Sequence, residues 1–151
     1  MSGKFSHFQA QRINTITPQT TTYRLSADES GSIVLCDPGT TGTTIYLPPL
    51  PDSDTNNQIN KGLNFTIIIN KKTDVADFIL ISIDSSSSST EQLLMLGNGA
   101  PTKSAALFKK LTISSANIEL GDRIDCVCDG EKWYLNWNLS TWVPAHLTLT
   151  T

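Results

Sequence analysis

The chain has 151 residues, 38% of them hydrophobic and 17% charged, with a formal net charge of −3. That length suits one domain able to bury about two-thirds of its unfolded surface. The acidic balance argues against nucleic-acid binding through phosphate contacts, no apolar run approaches the ~20 residues that span a bilayer, and the opening stretch MSGKFSHFQAQRINTITPQ lacks the apolar core of a signal peptide.

Hydroxyl-bearing residues dominate, with 19 Thr and 16 Ser beside 10 Asn, 9 Gly and 7 Pro. Threonine, branched at Cβ, suits a pleated strand, whereas Ser, Asn, Gly and Pro suit turns. The composition therefore predicts an all-β protein with many turns. It is poor in catalytic side chains, with two His and three Cys.

Residues 1–20 read as an extended N-terminal arm carrying Lys4, Phe5, Phe8 and Arg12 among polar residues. Two readings stand: a segment that orders only when laid against a partner, or a disordered tail. Within it, RINTIT (12–17) alternates weakly until Pro18, which has no N–H for a ladder. Residues 21–151 read as a single β-sandwich domain. Strand-like runs follow at 21–26 (TTYRLS), 32–36 (SIVLC) and 43–47 (TTIYL), separated by ADESG and by DPGTTG. In DPGTTG, Pro38 fixes φ while Gly39 and Gly42 accept positive φ. LPPLPDSDTNNQINKG then forms a proline-stiffened, polar loop over about 50–61, long enough to suit an interaction role.

LNFTIIINK (63–71) puts Leu63, Phe65, Ile67 and Ile69 on one face, as expected of a half-buried strand. DFILISI (77–83) is apolar on both sides, and Ser85–Ser89 follows as a loop tip. EQLLML, the turn GNGAP and the run 105–113 (AALFKKLTI) lead to GDRIDCVCDGEKWYLNWN. There Asp129-Gly130 signals a two-residue hairpin. Trp133, Leu135 and Trp137 share one face of the return strand. A last short strand is read at 146–150. Ten or eleven strands of about five residues predict a two-sheet antiparallel β-sandwich, jelly-roll-like.

No catalytic constellation emerges. His7 and His146 lie at opposite ends of the chain, no serine sits in a G-x-S-x-G elbow, and GNGAPTKS lacks phosphate-loop spacing. Asp122, Asp125, Asp129 and Glu131 cluster near one hairpin, where acidic residues are ordinary; a glycosidase pair would need two opposed carboxylates. Asp52, Asp54, Asn56 and Asn57 offer hard oxygens of the kind calcium prefers, without an EF-hand pattern, and read as a solvated loop. Cys126 and Cys128 share a strand face, badly placed for a mutual disulfide. Three Cys and two distant His lack zinc-ligand spacing, so all three thiols read as buried apolar residues, with a Cys36 bridge to one of the pair left open. The sequons at Asn64 and Asn138 fall in strands. Trp133 and Trp137 read as core; Trp142, outside the alternation, suits an exposed or intersubunit contact. No catalytic, cofactor or metal residue is assigned.

TTYRLSADESGSIVLCDPGTTGTTIYLPPLP, followed by GLNFTIIINKK and GDRIDCVCDGEKWYLN, resembles a strand-and-turn series recurrent in small all-β virion proteins of tailed phages and large DNA viruses. Those proteins include capsid decoration proteins, minor capsid proteins and tail-fibre tips. The resemblance spans about residues 21–138; the Ser85–Ser89 tract and the 50–61 loop depart from it. It implies a non-enzymatic structural protein on the capsid exterior of a virion, often a homotrimer. Its partners would be the major capsid protein or neighbouring capsid subunits, and it would cement the shell. The alternative is a receptor- or carbohydrate-binding tip domain of a viral fibre or spike, with a host glycan as ligand.

Overall fold

Period-two alternation of apolar and polar residues sets the strands. The computed structural model describes residues 13–16, 22–37, 42–49, 61–71, 77–83, 93–97, 110–114, 119–130, 132–138 and 147–150. Among them are eleven strands: β1 (Ile13–Ile16), β2 (Thr22–Arg24), β3 (Ser32–Cys36), β4 (Thr43–Leu47), β5 (Asn64–Ile69), β6 (Asp77–Ile83), β7 (Leu93–Gly97), β8 (Lys110–Ser114), β9 (Arg123–Cys128), β10 (Trp133–Asn138) and β11 (Leu147–Thr150). A 3-10 turn, Ala27–Glu29, sits between β2 and β3. The all-β expectation holds, and the runs read at 32–36, 43–47 and 77–83 match strands to the residue.

The strands form two sheets, ordered β1-β3-β5-β9-β10-β7 and β11-β8-β6-β4-β2. The antiparallel expectation is corrected here. Through β6 the chain alternates between the sheets, and each strand lies parallel to the one two places before it. This is a coil of three turns, with odd strands in one sheet and even strands in the other. Antiparallel pairing begins where β8 joins β6 and β9 joins β5. Among the described strands, only β9 and β10 are sequence neighbours that pair. The physical reason is that a half-buried strand shows the same alternation in either direction. A short connector that crosses to the opposite sheet looks, in sequence, like one that turns back. Residues 13–16, within the stretch read as an arm, are strand β1 and pair with Ile33–Cys36; residues 1–12 lie outside the described residues.

The inward faces of both sheets build one core. Val34, Cys36, Phe65, Ile67, Ile69, Ile124, Cys126, Cys128, Trp133, Leu135 and Trp137 come from the first sheet, and Ile45, Leu47, Leu111 and Ile113 from the second. Phe65 and Trp133 pack with ring centroids 5.9 Å apart at 33°. The buried indole N–H of Trp133 donates to the Pro48 carbonyl at 3.1 Å, tying β10 to the end of β4. Trp133 and Trp137, read as core, are both buried.

The turns are fixed by glycines at positive φ, including Gly31 (81°), Gly62 (87°), Gly121 (89°) and Gly130 (102°), where a Cβ would be strained. The hairpin differs by one step from its sequence reading. The Asp129 N–H donates to the Lys132 carbonyl at 3.2 Å, so Asp129 and Lys132 flank the turn. Asp129 instead uses its carboxylate to accept the Lys132 N–H at 2.7 Å. An Asp side chain competes well for a nearby backbone donor, and this moves it from the turn centre to its flank.

Candidate functional site

The acidic group near the hairpin comes apart in the structure. Asp122 and Asp129 stand at opposite ends of β9, about 24 Å apart at ~3.4 Å per residue. Asp122 is buried and accepts the Glu119 N–H at 2.8 Å, closing the turn that carries Gly121. Asp129 also accepts the Tyr134 hydroxyl at 2.7 Å. Asp125 lies mid-strand, accepting the Thr66 hydroxyl at 2.8 Å and the Arg123 Nε–H at 2.9 Å. Each carboxylate is thus engaged locally, and no two of these three face one substrate. Glu131 lies outside the described residues.

A fourth carboxylate, not singled out by sequence reasoning, holds the open end of the coil. One oxygen of Glu29 accepts the Tyr23 hydroxyl at 2.8 Å and the Asn14 amide at 3.3 Å. The other accepts the Ser26 N–H at 2.9 Å and its hydroxyl at 3.2 Å. Strands β1 and β2 and the 3-10 turn therefore meet on one side chain. The signal was present as S-x-x-E, a capping pattern, at Ser26–Glu29.

The three cysteines are buried and unbridged. Cys36 pairs in register with Ile69, whereas Cys126 pairs with Phe65 and, through it, with Ser32. Four residues of strand and two interstrand steps separate the two by roughly 16 Å. Disulfides need Cα atoms within ~7 Å, so the Cys36 bridge is excluded as the protein is folded. Burial pushes the Cys36 thiol up to about 12, opposed by the Thr43 hydroxyl and aided by the Asp37 charge. Burial likewise raises Cys126, with Asp125 adding to it. Burial raises Cys128 too, against the Gly130 N–H that donates to its sulfur at 3.3 Å. Such thiols are poor nucleophiles and poor metal ligands. Among the described residues, no group of three or more His, Cys, Asp or Glu is placed to hold a metal.

What remains for recognition is the outer surface of each sheet. On the six-stranded sheet two rows run across the strands: Leu35–Ile68–Arg123–Asn138 and Ile33–Thr66–Asp125–Asn136. Ile33, Leu35 and Ile68 are half-buried, and Val127, apart from them in the row Asn64–Val127–Tyr134, is 47% exposed. The surface is aliphatic towards β3 and β5 and polar towards β9 and β10. Its Arg123–Asp125 ion pair at 2.8 Å is largely exposed, and such pairs contribute little stability. The sequon residues Asn64 and Asn138 are exposed on this same sheet.

On the five-stranded sheet the rows are Thr22–Thr44–Leu80–Thr112–Thr148 and Arg24–Tyr46–Ser82–Lys110–Thr150. The Arg24 guanidinium stacks 4.4 Å from the centroid of Tyr46. The alternate rows carry the buried Ile45, Leu47, Leu111 and Ile113. Among the side chains described there, Thr22 is exposed and Thr44 and Thr112 half-buried, while Thr43 is buried with the aliphatic residues.

His7, His146, Trp142, residues 98–104 of the glycine turn, Ser85–Ser89, and the oxygen set Asp52, Asp54, Asn56 and Asn57 lie outside the described residues. No helix among the described residues is long and apolar enough to cross a membrane. No protein-family model matches the chain, and no curated protein matches it in sequence.

Proposed function

We propose that the chain is a non-enzymatic structural protein of a virus particle: a capsid decoration or minor capsid (cement) subunit, built as a two-layer β-sandwich and assembled as a homotrimer. The reading rests on the strand-and-turn series over residues 21–138. Its motif residues are also the ones that set turns in this fold: Glu29 and Gly31 in ADESG, Gly62 in GLNF, Gly121 and Asp122 in GD, and Gly130 in DG. A shared series of this kind is a likeness of scaffold, which fits a protein whose work is shape and contact.

The outer face of the six-stranded sheet supplies a docking surface for capsid subunits. Ile33, Leu35 and Ile68 offer apolar area, and Arg123, Asp125 and Asn136 offer polar pairing at its side. Weak contacts of this type multiply when many copies engage one lattice. The test is a low-resolution map of the particle together with melting of particles lacking the subunit. Density between capsomers and a lowered melting temperature support cementing. Unchanged melting, or density confined to a spike or tail, overturns it, and the latter favours the adhesion reading.

A further inference from the structure

We infer that β1 is an acid-released strap, held shut by the Glu29 carboxylate. This goes beyond the shell reading and stands without it, because it concerns the open end of the coil and not an outer sheet face. Glu29 is half-buried at the end of the 3-10 turn Ala27–Glu29. Asn14 of β1 donates its side-chain amide to Oε1 at 3.3 Å, and Tyr23 of β2 donates its hydroxyl to the same oxygen at 2.8 Å. The Ser26 N–H and hydroxyl donate to Oε2 at 2.9 and 3.2 Å. Among the described strands β1 pairs with β3 alone, so the Asn14–Glu29 bond adds a tie from this edge strand to the turn.

The four partners all donate, so both oxygens must accept, which a carboxylate does and a carboxylic acid does only in part. Each oxygen faces one group that can only donate, the Asn14 amide on Oε1 and the Ser26 N–H on Oε2. A proton on either oxygen therefore competes with one of these bonds. Because Glu29 is only half-buried, it can take up that proton while the core stays folded. The ionisable groups on the elements that meet there are Tyr23 and Arg24 on β2, Tyr46 on β4 and Asp28 on the turn; β1, β5 and β3 as far as Cys36 hold none. The tyrosines stay neutral throughout the acid range, the Arg24 charge favours the anion, and the Asp28 charge opposes it. The closed strap thus prefers the anion, and the open strap binds a proton more readily. Falling pH through the carboxylate range favours opening. Opening bares the ladder groups of Ile33–Cys36 that β1 now pairs, and so creates a new sheet edge.

The test compares amide protection factors of the full chain, corrected for the intrinsic pH dependence of exchange, at β1 and at β9 near pH 7 and near pH 3. In the parent, β1 protection is expected to fall about sevenfold further than β9 protection, the value for a tenfold difference in proton affinity between open and closed strap. Glu29→Gln sets an amide NH₂ against the same donors. Its β1 should be under-protected near pH 7 and show no further fall of its own on acidification, while β9 reports a folded core. Tyr23→Phe removes one donor and leaves the charge, so it should shrink the β1 step. Asp28→Asn, on the same turn, should keep the step. Parallel loss at β1 and β9 in the parent, full β1 protection in Glu29→Gln near pH 7, or a step that survives Glu29→Gln overturns the inference. So does a step lost in Asp28→Asn. If Glu29→Gln does not fold, the parent and Tyr23→Phe decide the matter: a step that Tyr23→Phe leaves unchanged overturns it, and a smaller one supports it.

Discussion

Removing the Glu29 carboxylate should loosen the open end of the coil, and its cost can be built from its four contacts. Charge-assisted hydrogen bonds contribute about 1.5–3 kcal/mol when well buried. The Tyr23 contact at 2.8 Å is only partly buried, which discounts it to about 1 kcal/mol. The Ser26 N–H at 2.9 Å is a capping bond of about 1 kcal/mol. The longer bonds to Asn14 and the Ser26 hydroxyl, at 3.3 and 3.2 Å, add a few tenths each. Glu29→Ala should therefore cost about 2–3 kcal/mol, or roughly 5–10 °C in melting temperature for a chain of this size. A double-mutant cycle with Tyr23→Phe should return about 1 kcal/mol of coupling. Hydrogen exchange should speed at the Ile13–Ile16 amides, since β1 pairs only with β3 among the described strands, and much less at β9. If Glu29→Ala melts within a degree of the parent, or the two substitutions are additive, Glu29 does not join β1 to β2.

Other substitutions probe the core and turns. Trp133→Phe leaves the buried Pro48 carbonyl without its donor and opens a small void, for a loss of about 2–4 kcal/mol by chemical denaturation. Gly62→Ala meets no atom within 4 Å, so its cost is conformational, about 1–2 kcal/mol from the strain at φ 87°; a neutral result would show that the turn can relax. All three thiols should resist a thiol reagent at pH 8 until the protein is unfolded. Because folding raises the Cys36 pKa from 9.0 to about 12, its contribution to stability is complete below about pH 9. It is lost as pH climbs towards 12, at up to about 1.4 kcal/mol per pH unit. Denaturant midpoints measured from pH 8 to 10.5 should fall, and less steeply in Cys36→Ala.

Strand positions were legible because each buried face reads directly in the alternation. Phe65, Ile67 and Ile69 or Trp133, Leu135 and Trp137 could face only inward. The coil was not legible. Nothing in Ile45 or Val34 tells whether its neighbour runs parallel, and the connectors at 25–31 and 37–42 carry ordinary turn chemistry whether the chain turns back or crosses over. The acidic group, read as ordinary for a hairpin, is spread out for a related reason. Asp122 and Asp129 are close in sequence, but an extended strand holds its ends apart. Glu29 went unread because its partners Asn14 and Tyr23 are joined to it by tertiary structure, although its own capping spacing was visible.

The register also sharpens the meaning of the composition. An all-β chain needs many threonines for strand formation but does not need them aligned. Here the parallel pairing of β2 with β4 and of β4 with β6 places Thr22, Thr44 and Leu80 in one row, and antiparallel pairing through β8 and β11 adds Thr112 and Thr148. A shift of one residue in any of these pairings would send a threonine into the core and an isoleucine or leucine outward, so core packing alone fixes the ladder. The opposite sheet obeys the same rule yet carries half-buried Ile33, Leu35 and Ile68 on its outer face beside Thr66. Since the same inward constraint acts on both sheets, the contrast between their outer faces is not dictated by folding. Substitutions confined to one outer face should therefore alter one kind of contact while leaving stability and the other face unaffected.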